Sequence, residues 1–203
     1  MSEVLRTLWK HPGFAAITIA TLALGIGATT AMFSVIDATM LQPLPYEAPD
    51  RLVRVWETNP DGMNFSASEP NYLDFRERSE TLAQLAAFQG ASVTLTGVGD
   101  PVRLEGLAVS HNYFATLGIT PALGRGIAVD EDRPGGEAVV VLSDALWRER
   151  FGTARDVLGA DILLEGRAHT VIGVMPPTFR DPTGAAFWLP LAPGARRPII
   201  PSQ

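Results

Sequence analysis

Two residue types that carry much protein chemistry are missing or nearly missing from these 203 residues: cysteine does not occur, and Lys10 is the only lysine. Without cysteine there is no disulfide framework and no thiolate metal site. With no lysine beyond residue 10 there is no Walker A loop, whose lysine reaches the nucleotide phosphates. Histidine is sparse too: His11, His111 and His169 stand far apart and lack the H-E-x-x-H spacing of a zinc site. No G-x-S-x-G elbow is there to present a nucleophilic serine. Positive charge is also in short supply, with 21 acidic against 14 basic residues from Phe14 onward and no long block of either sign. Such a surface is a poor match for a phosphate backbone, so nucleic acid is not an expected partner. The expectation is a chain that is not an enzyme, with no catalytic residues, metal ligands or cofactor of its own. The cluster Asp130-Glu131-Asp132 beside Gly135-Gly136 leaves two readings, a calcium site or a solvated turn, and the turn is the simpler.

What the chain does have is one long uncharged run. From Phe14 to Ile36, within "GFAAITIATLALGIGATTAMFSVID", no residue is charged, and none is His, Asn, Gln or Pro. Twenty-three residues of helix reach about 35 Å, enough to cross a hydrocarbon core of about 30 Å. A cleaved export signal needs only about 7–15 apolar residues and a small-x-small cleavage site. The residues that follow, Thr39 to Pro43, offer no such site. A core helix should show a polar stripe, and this one has only scattered Thr and Ser. The run therefore reads as an uncleaved membrane span. Arg6 and Lys10 precede it, whereas Asp37, Glu47 and Asp50 follow. Positive flanks stay in the cytoplasm, which puts the N-terminus inside and everything after the span outside. Ala16, Ala20, Ala23, Gly27 and Ala31 recur at steps of three and four and mark one small-residue face, a candidate for packing against another span.

Beyond the span, Pro43, Pro45 and Pro49 suggest a stiff extended exit. "RLVRVWET" alternates as a strand, and "NPDGMNFSASEP" reads as loop. "NYLDFRERSETLAQLAAFQ" has apolar residues at helical spacing from Tyr72 to Phe88, with a break suggested near Ser79. "SVTLTG" and "PVRLEGLAVS" form a hairpin around Gly97-Val98-Gly99-Asp100, and "SHNYFATLGI" a short helix from Ser110 to Gly118. The stretch 121–137, rich in Gly and Pro, reads as a linker. After it come a buried strand "AVVVLS", a helix "SDALWRERFG" capped by Ser143 and stopped by Gly152, a hairpin turning at Glu165-Gly166-Arg167, and a last strand "FWLPL". The pattern is α+β: a cytoplasmic N-terminus (1–13), a transmembrane helix (14–41), a Pro-rich exit (42–50), a first lobe with its linker (51–137), a second lobe (138–191) and a Pro-rich tail (192–203). Residues 138–175 are expected to hold a small core of their own.

Four ordered blocks carry a resemblance: "HPGFAAITIATLALGIGATTAMFSVIDATMLQPLPYEAPDRLVRVWE", "LEGLAVSHNYFATLGITPALGR", "VVLSDALWRERFG" and "HTVIGVMPPTFRDP" followed by "FWLPL". Together they make residues 8–191 resemble MacB/FtsX-type ABC transporter permeases. The resemblance implies that the exported part is a periplasmic core domain with a porter-like lobe (51–137) and an inserted lobe (138–191). It implies a separate cytoplasmic ABC ATPase that binds ATP, the remaining permease spans or a second permease copy in a dimer, and a periplasmic adaptor. The implied mechanism is mechanotransmission, in which exported lobes move when the ATPase turns over. Family members continue past this point with the rest of the porter lobe and three more spans, so the chain is expected to be an N-terminal piece with an incomplete domain.

Overall fold

The computed structural model describes residues 12–36, 46, 48–179 and 181–194. The chain divides between Leu44 and Pro45 into two compact units. The first contains helix α1 (Pro12–Ile36), opened by a proline, whose fixed φ and missing N–H suit a first helical turn. Its stretch Ala16–Ser34 has a mean hydropathy of 1.7 and is long and apolar enough to cross a membrane. Apolar residues point outward all round the helix, Leu24 being 78% and Ile17 70% exposed. Such a helix has no water-facing side and is at home in lipid. The two threonine hydroxyls at 21 and 29 donate to the carbonyls of Ile17 and Gly25, at 2.9 and 2.8 Å, so neither is left unbonded in an apolar setting. The remainder of the expected span, 37–41, lies outside the described residues.

In the second unit, Pro49 opens a 3-10 turn, Pro49–Arg51, and does not prolong an extended exit. The same fixed φ that stiffens an extended chain also fits a helical first position. Of the expected strand 51–58 only β1 (Glu57–Thr58) is paired, with β2 (Asn64–Phe65). The turn between them is Asn59-Pro60-Asp61-Gly62, closed by Gly62 N–H donating to Asn59 O at 2.9 Å, with Gly62 at φ 79°. What reads as loop in the sequence is thus a small hairpin. Helix α2 (Glu69–Arg78) follows, and the carboxylate of Glu57 accepts from Ser68 N–H and the Asn71 amide, both at 2.7 Å, at its N-terminus. The helix does stop at Ser79, but it does not resume. Residues 79–87 are non-helical, because the backbone there is claimed by other elements: Ala87 N–H donates to Ser110 Oγ, and the Asn112 amide to Leu85 O.

The remaining strands form one sheet. β3 (Phe88–Thr96) and β4 (Val102–Val109) make the expected hairpin. β5 (Leu123–Gly124), β6 (Val139–Leu142), β7 (Asp161–Leu164), β8 (Arg167–Val174) and β9 (Phe187–Pro190) complete the order β5-β8-β6-β9-β4-β3-β7. Strand β7 pairs with both β3 and β8, so the sheet closes on itself. β6 lies between β8, to which it is parallel, and β9; all four of its residues are buried, which is why it reads as an unbroken apolar run. Short helices α3 (Tyr113–Thr116) and α4 (Asp144–Phe151) pack on it. In α4, Ser143 accepts from Leu146 N–H at 3.1 Å and Gly152 ends the helix in the left-handed region. Ser110 does not cap α3; its hydroxyl is taken up with Ala87 and Asn112.

The division at residue 137 is not a break in this sheet. Val93 and Leu95 of β3 pack in one cluster with Val140, Leu142, Ile162, Leu164, Val171, Val174 and Phe187. The stretch 121–137 is no free tether either, since its β5 pairs with β8. A Cβ on Gly124, at φ 70°, would lie 2.1 Å from Ile172 O, so glycine is there for close approach and not for looseness. Because Leu95 and Leu164 are partners across β3 and β7, Leu95→Ala and Leu164→Ala should each cost about 2–5 kcal/mol and couple by about 0.5–3 kcal/mol in the double variant. Urea unfolding followed by tryptophan fluorescence checks this; strictly additive losses would contradict a shared core.

Candidate functional site

Among the described residues no group of three or more His, Cys, Asp or Glu is placed to hold a metal ion. The structure instead offers a helix face and an anchored domain surface. On α1 the stripe residues Ala16, Ala20, Ala23, Gly27 and Ala31 are all exposed, and a Cβ on Gly27 would meet nothing within 4 Å. Their steps of four, three, four and four keep them on one side of a 3.6-residue helix.

The acidic cluster does lie in a turn with Asp130 exposed, but Glu131 and Asp132 turn inward and are not solvated. Glu131, 4% exposed, accepts two hydrogen bonds from the Arg125 guanidinium at 2.6 and 2.8 Å and a third from Ala128 N–H at 2.7 Å. Asp132 accepts from His111 N–H at 2.9 Å and from Ala192 N–H at 2.7 Å. These carboxylates serve as anchors that tie the Gly-rich stretch to α3 and to the end of β9. The forked Arg125 pair was hidden in sequence because its partners are six residues apart in a segment of no regular structure.

On the other face of the sheet an aromatic layer surrounds α3. The rings of Tyr113, Phe114, Phe179 and Trp188 meet edge to face or tilted, with Phe114 and Trp188 centred 5.7 Å apart. Tyr46 packs half-buried against this layer. Asp181, 8% exposed, accepts from the Tyr113 hydroxyl at 3.1 Å and from Thr183 N–H at 2.8 Å. Burial, and then the Asp181 charge, push both the Tyr113 and the Tyr46 phenols above their ordinary range, so both stay protonated donors. Beside the layer, the Arg54 guanidinium lies 3.8 Å from the centre of the Trp56 ring and 5.0 Å from that of Phe88. Each such cation–ring contact at an exposed site contributes about 0.5–1 kcal/mol. Seven large exposed apolar residues of this unit, Val53, Val55, Trp56, Met63, Phe65, Phe75 and Phe88, come from this part of the chain, with Val129 and Leu163 exposed elsewhere. None of this was legible as a site in the sequence, where Tyr46, Arg54 and Asp181 lie far apart with no motif.

The sequence pattern of the MacB-like periplasmic core domain matches residues 15–200. The chain belongs to that family. It carries a MacB-like periplasmic core domain. The crystal structure of the periplasmic region of MacB from Actinobacillus actinomycetemcomitans is similar to it, with a TM-score of 0.50 and 16% identity over 68% of this chain and 57% of that one. At that identity the likeness speaks for the MacB fold alone. The extracellular domain of the noncanonic ABC-type transporter YknZ from Gram-positive bacteria (TM-score 0.49, 16% identity, 60% of this chain and 61% of that) is also similar. So is a domain of a putative permease protein from Porphyromonas gingivalis (TM-score 0.46, 19% identity, 64% and 55%). No curated protein matches the chain. The chain thus spans 55–61% of the length of these three structures.

Within this MacB-like domain the Arg125–Glu131 pair gives a pH signature. The guanidinium bonds hold the Glu131 carboxyl below its ordinary value of 4.5. A depressed acid adds stability that is complete above that ordinary value and is lost as pH falls through the folded one. Arg125→Met leaves Glu131 without its partner. It should cost about 2 kcal/mol at pH 7, less than for a fully buried pair because the Arg125 side chain is 54% exposed. The cost should shrink toward pH 4, where the lone carboxyl protonates. Melting curves of the two proteins across pH 4–7 check this; a gap that widens on acidification would contradict it.

Proposed function

We infer that the chain is the membrane-anchored permease component of an ABC-type export or mechanotransmission system. A separate cytoplasmic ABC ATPase binds and hydrolyses ATP, and the exported lobes move in response. The observation that carries this reading is the extent of the family match, which starts inside the apolar helix at residue 15 and runs to residue 200. Span and exported domain are thereby matched as one unit. With no nucleotide loop in the chain, the energy comes from a partner.

The topology proposed places the N-terminus in the cytoplasm, supported by Arg6 and Lys10 before the span, and the main domain in the periplasm or outside the cell. An apolar helix followed by this domain is consistent with an inner-membrane protein. Further partners are the remaining permease spans or a second permease copy, and a periplasmic adaptor. The small-residue stripe from Ala16 to Ala31 is the face proposed to meet another span. The lobes proposed are a porter-like one with its linker (51–137) and an inserted one (138–191), with the closed sheet drawing strands from both. The exposed apolar residues between Val53 and Phe88 support a surface on which more of such a permease packs.

Tagged chain isolated from its native membranes in mild detergent tests both points. The native chain should bring with it an ABC-type ATPase and partner spans. Gly27→Leu should reduce their recovery about tenfold by holding backbones apart, whereas Thr29→Leu, on the opposite side of the helix, should not. Recovery of the chain alone would favour a single-span anchored periplasmic binding or signalling module. Equal effects of the two leucines would leave the stripe facing lipid.

A further inference from the structure

Between the apolar helix and the first strand of the closed sheet, the chain has little backbone pairing to hold it. Residues 52–56 run with no ladder partner among the described residues, and the 3-10 turn at Pro49–Arg51 is closed only by local bonds, Arg51 N–H to Ala48 O and Leu52 N–H to Pro49 O. Two side chains nevertheless fasten this segment to the same patch of the domain. Tyr46, the first described residue after the helix, packs on the aromatic layer that contains Tyr113 and Phe114. Eight residues on, Arg54 stacks against the rings of Trp56 and Phe88. Phe88 begins β3, is the register partner of Val109 in β4, and has its ring 5.9 Å from that of Tyr113. Tyr113 in turn is held by the buried carboxylate of Asp181. Both fastenings therefore end on one group of packed rings, at the point where β3, β4 and α3 meet.

We propose that Tyr46 and Arg54 are positioning residues which clasp the segment leaving the membrane helix onto the aromatic face of the sheet, so that a displacement of the chain arriving at residue 45 is delivered to β3, β4 and α3. A covalent tether transmits a pull only when slack is removed near its attachment, and a segment without ladder hydrogen bonds has to find that attachment in side chains. Planar rings suit such an attachment because they bury area with few rotatable bonds, so little slack remains in the contact. Arg54 adds a second fixed point, which turns a swivel at Tyr46 into a defined direction. Its guanidinium is planar and stacks on ring faces, which an ammonium does not do in the same way. The purpose assigned to the clasp rests on the permease reading above; the clasp itself does not.

The test uses the full chain in nanodiscs and measures nitroxide distances by pulsed electron resonance. The absence of native cysteine makes Ala48→Cys with Arg103→Cys the only labelled pair, both sites being exposed. The native chain should give a narrow 48–103 distribution. Arg54→Ala and Tyr46→Ala should each broaden it at least twofold, whereas Tyr46→Phe, which keeps the ring, should restore the native width. A control pair within the sheet, Arg103→Cys with Leu163→Cys, should keep its width in every variant. An unchanged 48–103 width in both alanine variants would overturn the proposal. So would equal broadening of the control pair, since the residues would then serve general stability. The assay contains no ATPase, so failure to find one would overturn the permease reading while leaving this result standing.

Discussion

Strand β7 is only four residues long, yet it hydrogen-bonds to β3 along one edge and to β8 along the other. That double pairing turns an open sheet into a closed one, and a closed sheet has an inside. Leu95 and Leu164 face each other there and are fully or almost fully buried. They bring residues from both sides of the Gly-rich stretch 121–137 into one core. Closure also leaves few bare strand edges on this part of the chain, where unpaired N–H and C=O groups invite unwanted pairing. The outer face is then free to carry the aromatic layer on which Tyr46 and the Arg54 stack are seated.

The other half of the physics is the helix. α1 has no polar side and cannot be a surface helix of a water-soluble domain. Its exposed leucines and isoleucines ask for lipid, and its small residues allow another helix to come close. The second unit supplies an opposite environment, with buried carboxylates that are each provided with donors: Glu131 by Arg125 and Ala128, Asp132 by His111 and Ala192, Asp181 by Tyr113 and Thr183. One family match runs across both units, from residue 15 to residue 200.

Local signals were legible where the local code is strict. Ser143 and Gly152 bound α4 as a capping serine and a left-handed stop should, and the Glu165-Gly166 turn, with both residues at positive φ, joins β7 to β8. The β3–β4 hairpin and the buried strand β6 were likewise readable from alternation and from an unbroken apolar run. Segments whose structure is set by distant partners were not. Residues 79–87 keep a helical spacing of apolar residues, but Ser110 and Asn112 claim their backbone groups. Gly124 and Gly173 look like linker and strand punctuation in sequence, whereas they permit two backbones to approach closer than any Cβ allows. The small-residue stripe of α1 was visible as composition; the ring contacts of Tyr46 and Arg54 were not, because they form only when the sheet brings Phe88 and Tyr113 beside this segment.

Closure through β7 requires that the second unit moves and unfolds as one closed sheet and not as two cores split near residue 137. Hydrogen exchange on the full chain in detergent tests it most directly. Amides of β3 and β4 should exchange with the same opening free energy as those of β6 and β8, and all four should shift together when Leu164→Ala weakens the closure. Protection confined to 139–174, with 88–109 opening independently and at lower cost, would contradict it.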